Sequence, residues 1–277
     1  MRGRQPGLSG TDHDGCALQR RHVRGTHIHA NGVDNAVIPA ERDLETFPRF
    51  APSLLGHRWW KDAHVTSTRA EREADLRTYY DNEARDRRAN HLPADRLEHR
   101  DTFVTLLQQE GRSSIVEVGT GPGRDSIAFR DSGFAIRGID LAPASVALCV
   151  EAGLDVRTGS VLELPFETGE FEAAYTASTL LHIADDDLDT AISELVRVVR
   201  PGAPVAIGVW GAETTREQHW GDASYGPPRF FALRSDDDLR AALGRHGIVE
   251  SFETWPAEAQ SDLHYQWAVL RTQIERD

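Results

Sequence analysis

The chain has 277 residues, 39% of them hydrophobic, and a formal net charge of −13. That length holds one large α/β domain or two small ones, and no stretch approaches the roughly 20 apolar residues of a membrane span. The acidic balance counts against nucleic acid as a partner, because phosphate binding needs a basic face. Two cysteines, Cys16 and Cys149, make no disulfide framework, and the expected location is cytoplasmic.

Residues 1–66 carry nine basic and seven acidic side chains, whereas the remainder carries 22 against 37. This first segment lacks hydrophobic periodicity and is expected to be a disordered extension. His22, His27 and His29 have no acid or cysteine close by at ligand spacing, so no metal site is expected. Trp59 and Trp60 are the apolar exception. The folded domain is expected over 67–277. From about Ala70 a highly charged helix begins, with Leu76, Tyr79 and Tyr80 as its apolar ridge. A second helix, Leu97–Gln109, should bury Phe103, Leu106 and Leu107.

The stretch 115–140 organises the rest. A β-branched run, Ile115 to Val118, meets three glycines at alternate positions, Gly119, Gly121 and Gly123, with Thr120 between the first two. A short helix and a second apolar run, Ala135 to Ile139, end on Asp140, followed by Leu141. Strand, glycine turn, helix, strand and acid make the first βαβ unit of a dinucleotide-type fold, with Asp140 placed to accept hydrogen bonds from a ribose diol. A nicotinamide or flavin fingerprint would need glycine at position 124, where Arg124 stands.

Downstream, a helix from Pro143 to Glu151 leads to a third strand, Asp155–Val161, and a fourth, Phe171–Thr179. Ligands in open α/β sheets sit at the carboxyl ends of the strands. Ser178 and His182, just past the fourth strand, are therefore expected where cofactor and substrate meet. Asp185 to Asp187 should cap a helix whose Leu188, Ala191, Ile192, Leu195, Val196 and Val199 repeat at core spacing. A fifth strand, Val205–Trp210, precedes a long loop over 211–231. Its aromatic content makes Trp220, Tyr225, Arg229 and Phe230, with Trp210 at the strand end, candidate walls of a substrate pocket. A helix from Ser235 to His246 and two strands, Ile248–Trp255 and Tyr265–Leu270, complete the chain.

Glu117-x-Gly119-x-Gly121-x-Gly123 resembles motif I of the class I S-adenosylmethionine-dependent methyltransferases, of the small-molecule type 11/25-like kind. Leu164-Pro165-Phe166 through Phe171-Glu172 and Arg197 to Gly202 resemble two further signatures of that family. The resemblance covers about 70–272. It implies a Rossmann-like, doubly wound α/β sheet of seven strands, order 3-2-1-4-5-7-6 with the last antiparallel, and N-terminal lid helices. It implies S-adenosylmethionine as cofactor, S-adenosylhomocysteine as product, and methyl transfer to an oxygen or nitrogen of a small-molecule acceptor. Its cofactor contacts fall on Tyr79 or Tyr80 (in Tyr80-Asp81-Asn82-Glu83-Ala84), Glu117, Gly119, Thr120, Gly121, Gly123, Asp140, Leu141, Ser160, Val161 and Ser178. Ser160 stands where many relatives carry an adenine-binding Asp. His182 is the candidate general base, with a pKa of about 6.5 when unperturbed. The partner is a small molecule, with neither nucleic acid nor membrane, and the chain is a monomer or homodimer. The alternative is a methyltransferase-like regulatory protein that binds the cofactor without catalysis.

Overall fold

The computed structural model describes residues 67–256 and 262–273. The expectations for the extension, Trp59-Trp60, the three histidines and Cys16 lie outside the described residues. The described chain begins with α1 (Arg69–Ala89) and α2 (Ala94–Gln109). Thr68 accepts the amide hydrogen of Glu71 while the Glu71 carboxylate accepts that of Thr68, a reciprocal cap that fixes where α1 starts. Only Leu76, Tyr79 and Ala84 of its 21 residues are buried, so α1 lies on the body of the protein rather than in it.

The body is a seven-stranded sheet. Strands β1 (Ser114–Val118), β2 (Ala135–Asp140), β3 (Asp155–Thr158), β4 (Ala173–Ala177) and β5 (Pro204–Ala212) pair in parallel. They alternate with α3 (Arg124–Asp131), α4 (Pro143–Glu151) and α5 (Asp185–Arg197). After β5 come a hairpin of β6 (Arg216–Trp220) and β7 (Arg229–Leu233), then α6 (Asp236–Gly244) and the strands β8 (Gly247–Pro256) and β9 (Leu263–Thr272). The strand order is β3-β2-β1-β4-β5-β9-β8, and β9 is antiparallel to both neighbours. That is the order expected from the sequence, with the hairpin as an addition that pairs only with itself.

The central strands β1 and β4 are buried on both faces, which explains why apolar residues do not alternate with polar ones along them; Glu117 of β1 is the one charged residue in the two strands. One face packs Val116, Val118, Ala174 and Ile207 against the Leu188, Ala191, Ile192 and Leu195 stripe of α5. The other packs Ile115, Ala173, Tyr175 and Ala206 against Phe103 and Leu107 of α2 and Phe129 of α3.

Three expectations change. The span 211–231 is largely the β6–β7 hairpin rather than a loop: Phe230 to Leu233 are all buried, and β6 alternates in burial. Asp185 to Asp187 occupy the first turn of α5 and do not cap it. Ala184 is the N-cap and makes no side-chain bond, so the three carboxylates act on the helix dipole. The third and fourth strands are shorter than expected, because the chain leaves the sheet at Thr158 and joins it only at Ala173. Leu195 has no solvent exposure, and Leu195→Ala should destabilise the protein by about 2–5 kcal/mol, read as a fall in the midpoint of a urea titration.

Candidate active site

The carboxyl ends of β1, β2 and β4 open into a cleft roofed by α1. With its open mouth included, the cleft holds about 1070 Å³, at the upper limit of small-molecule sites and enough for two ligands side by side. Its floor is the turn after β1. Gly119 takes φ of +79°, and a Cβ there would stand 1.9 Å from the Thr179 hydroxyl, so only glycine fits. Gly121, with φ of +52°, faces open space, which a side chain would fill. Gly123 lies behind the floor, against Cys149 and Leu154, and does not reach the cleft.

Asp140 ends β2 on the cleft wall. Its carboxylate accepts the Gly121 amide at 2.7 Å and the Ala142 amide at 2.9 Å. Burial raises its pKa above the usual range, and these two amides oppose the rise. Leu141, Ser160 and Val161 continue the same wall, and Ser160 donates to Glu73 of α1 at 2.7 Å. Glu117 is buried beneath the turn, where Ser126 donates to it. Burial and the neighbouring Asp125 charge push its pKa far up, and it does not line the cleft.

Opposite Asp140 stands a hydrogen-bonded series. The Nδ1 of His182 is 2.7 Å from the Phe230 carbonyl, which can only accept, so Nδ1 carries the proton. Nε2 of the neutral ring then accepts from the Tyr80 hydroxyl at 2.7 Å, and Arg229 Nη1 donates to the Tyr80 oxygen at 2.9 Å. Burial holds the His182 pKa down to about 3, with the charges of Arg229 and Arg87 adding to the effect. The 3-10 turn that carries His182, Leu180–His182, is itself clamped by Arg234, which donates to the Leu180 and Ile183 carbonyls. Ser178, on the cleft wall just before, is the one non-glycine residue with positive φ among the described residues, at 59°. Such backbone strain concentrates at functional sites.

Tyr80, Gly119, Thr120, Gly121, Asp140, Leu141, Ser160, Val161, Ser178 and His182 therefore share the cleft. Tyr79 is buried under the Arg229 guanidinium, 3.9 Å from its ring centre, and accepts the Asp222 amide. The five residues expected to wall a substrate pocket do not line the cleft. Trp210 and Trp220 border a separate small recess with Phe231 and Leu233. Tyr225 donates to Asp86 of α1, Phe230 contributes its carbonyl to His182, and Arg229 reaches the site only through Tyr80.

The sequence reading placed Tyr80 and a lid helix here but missed the other α1 side chains that face the cleft. Arg69, Arg72, Leu76, Tyr80 and Arg87 all line the cleft, and their spacing of three, four, four and seven marks a single helix face. Arg96, Arg124 and Asp125 complete that end of the cleft.

Residues 115–202 match the family model described as a methyltransferase domain. Over those residues the chain carries a methyltransferase domain. An O-methyltransferase, resE, of Aspergillus sclerotiorum is 29% identical over 36% of this chain and 41% of its own length. A tRNA (carboxymethyluridine(34)-5-O)-methyltransferase of Arabidopsis thaliana is 34% identical over 36% of this chain and 25% of its own. The chain thus spans under half the length of these two curated relatives. In fold it is similar to the Burkholderia thailandensis 1,6-didemethyltoxoflavin-N1-methyltransferase, crystallised with 1,6-didemethyltoxoflavin and S-adenosylhomocysteine. That likeness has a TM-score of 0.59 at 21% identity and covers 77% of this chain and 93% of the other.

Among the described residues no group of three His, Cys, Asp or Glu side chains could hold a metal ion, and no helix is long and apolar enough to cross a membrane. A histidine held neutral in the fold but free to charge when unfolded destabilises the fold as pH drops. The unfolded state binds the extra proton between its own pKa, about 6.5, and the folded value of about 3. His182→Asn should therefore flatten the acid side of the stability profile, and the His182 ring signals in NMR should not titrate until near pH 3.

Proposed function

We propose that this protein transfers the methyl group of S-adenosylmethionine to an oxygen or nitrogen of a small-molecule acceptor. The observation that carries the reading is the Asp140 carboxylate, fixed by two backbone amides on the wall of a cleft whose floor is kept bare by Gly119 and Gly121. Both ends of that carboxylate retain lone pairs for a ribose diol. Ser160 and Val161 extend the wall beyond it for the base, and the Gly119–Gly121 turn underlies the amino-acid end. The residues present thus fit the cofactor, which supplies an electrophilic methyl group on a sulfonium.

The chain's own residues hold the acceptor in line and exclude water, which is most of what such a displacement needs. Tyr80 is the group best placed to orient an acceptor. Its oxygen is held from one side by Arg229 and its proton is directed to His182, leaving one lone pair free. His182 serves to position Tyr80. With Nε2 engaged and its pKa near 3, it is too weakly basic to take a proton from a neutral hydroxyl at physiological pH. An acceptor with an acidic hydroxyl, or an amine already neutral when bound, suits this site.

Calorimetry with S-adenosylhomocysteine tests the reading. Wild type should bind, and Asp140→Ala should lose about 1.5–3 kcal/mol, the value of charge-assisted hydrogen bonds. Because burial raises the Asp140 pKa, wild-type affinity should start to fall, on acidification, at a higher pH than for an ordinary carboxylate, and Asp140→Asn should remove that slope. Wild-type affinity in Asp140→Ala would overturn the assignment.

A further inference from the structure

We infer that Glu73 of α1 reads the nucleobase of the cofactor, by accepting a hydrogen bond from the exocyclic amino group of adenine. The inference rests on the methyl-transfer reading and deepens it. It places the group that selects the base on the roof of the cleft rather than on its wall.

The course of the cleft locates the base. With the amino-acid end on the Gly119–Gly121 turn and the ribose on Asp140, the wall runs on to Ser160, Val161 and Leu162, and Glu73 lines the cleft with them. Glu73 stands four residues after Arg69 and three before Leu76, on the inward face of α1. Leu76, Val161 and Leu162 offer apolar surface to a purine ring. Adenine also brings amino hydrogens, which need an acceptor once they leave water.

At this end of the cleft one carboxylate oxygen is uncommitted. Asp187 gives one oxygen to Arg69 at 2.7 Å and the other to Arg72 at 3.1 Å. The Ser160 hydroxyl donates its hydrogen to Glu73 Oε1 at 2.7 Å and accepts the Leu162 amide at 3.2 Å. Glu73 Oε2 has no hydrogen bond or ion pair among the described residues, and Arg69, one turn before it, is engaged with Asp187. Ser160 thus anchors one oxygen of the carboxylate and leaves the other for a ligand. A carboxylate without a proton only accepts, so it favours an amino group and disfavours an oxo group in the same place. Tyr80 stands seven residues further along α1, about two turns, so base and acceptor are met by the same helix.

The test is calorimetry on the full chain with S-adenosylhomocysteine and S-inosylhomocysteine. The second ligand carries an oxo group where the first has its amino group, and a hydrogen on the adjacent ring nitrogen. Wild type should bind the adenosyl compound about tenfold or more tighter. In Glu73→Gln, Ser160 holds the amide carbonyl and the amide nitrogen takes the place of Oε2 as a donor. The preference should then vanish or reverse, with affinity for S-inosylhomocysteine rising. Ser160→Ala cuts the tie between wall and roof but keeps the carboxylate, and should retain the adenosyl preference. Equal wild-type affinities overturn the proposal, as does an unchanged preference in Glu73→Gln. An equal loss for both ligands in that variant, the mark of a bond that only holds α1 in place, overturns it too. Loss of the preference in Ser160→Ala overturns it and assigns the contact to Ser160. Failure of wild type to bind either compound removes the methyl-transfer reading, and this subsite with it.

Discussion

The site depends on one buried carboxylate. Asp140 ends its strand where two backbone amides, from Gly121 and Ala142, are the nearest donors. Burying a charge is unfavourable unless hydrogen bonds replace its hydration. Those two bonds supply part of the replacement and tie the turn after β1 to the end of β2. The turn can come that close only because Gly119 and Gly121 adopt left-handed backbone angles, with the Thr179 hydroxyl filling the space a Gly119 side chain would need. Strand register contributes as well: β1 and β2 pair from Ser114 with Ala135 to Val118 with Ile139, which brings the two strand ends level. The remaining polarity of Asp140 is left for a ligand, and its raised pKa records how incomplete the protein's own compensation is.

The roof of the cleft is held differently. Helix α1 buries three residues and otherwise binds through polar contacts. Arg69 and Arg72 meet Asp187 of α5, Asp81 accepts the Ala144 amide of α4, Glu73 meets Ser160, and Asn82 and Tyr79 meet the segment joining the hairpin strands. Exposed ion pairs contribute little each, with a median of about 0–1 kcal/mol. The floor is built from strands and glycine turns; the roof is attached mostly through side-chain bonds.

The two halves were unequally legible in the sequence. The floor, Gly119 to Asp140, follows from short-range pattern alone: a β-branched run, alternate glycines and an acid one strand later leave few conformations. The seven-strand order came from the family resemblance, which alternating elements support without fixing. The roof showed only as the lid helices that the resemblance implied; its arginines did not show, because arginines on a charged helix look like a solvated face. Only the shared spacing with Leu76 and Tyr80 marks Arg69, Arg72 and Arg87 as inward-facing. The aromatic residues of 211–231 misled in the opposite direction. Aromatic density signals burial without saying against what, and here it serves the hairpin: Phe231 and Leu233 pack on one face with Leu181 and Ala212, Phe230 on the other with Ala184, and Arg229 is enclosed by Tyr79, Tyr80, Trp220 and Phe231. His182 was legible in position and not in its hydrogen-bond partners. Its place after β4 follows from topology, but its partners Tyr80 and Phe230 lie 102 and 48 residues away in the chain.

Methyl transfer from a sulfonium asks for little acid–base chemistry, so a protein built for it should show its specificity in charge and shape. The described cleft has that character. Its one histidine is held neutral with both nitrogens engaged, whereas its cationic residues outnumber their carboxylate partners on one side. Preorganised charge acts most strongly where water is excluded and the local dielectric is low. With both nitrogens of His182 engaged, the charge that a ligand meets in this cleft is carried by side chains the fold already fixes, Asp140 among them.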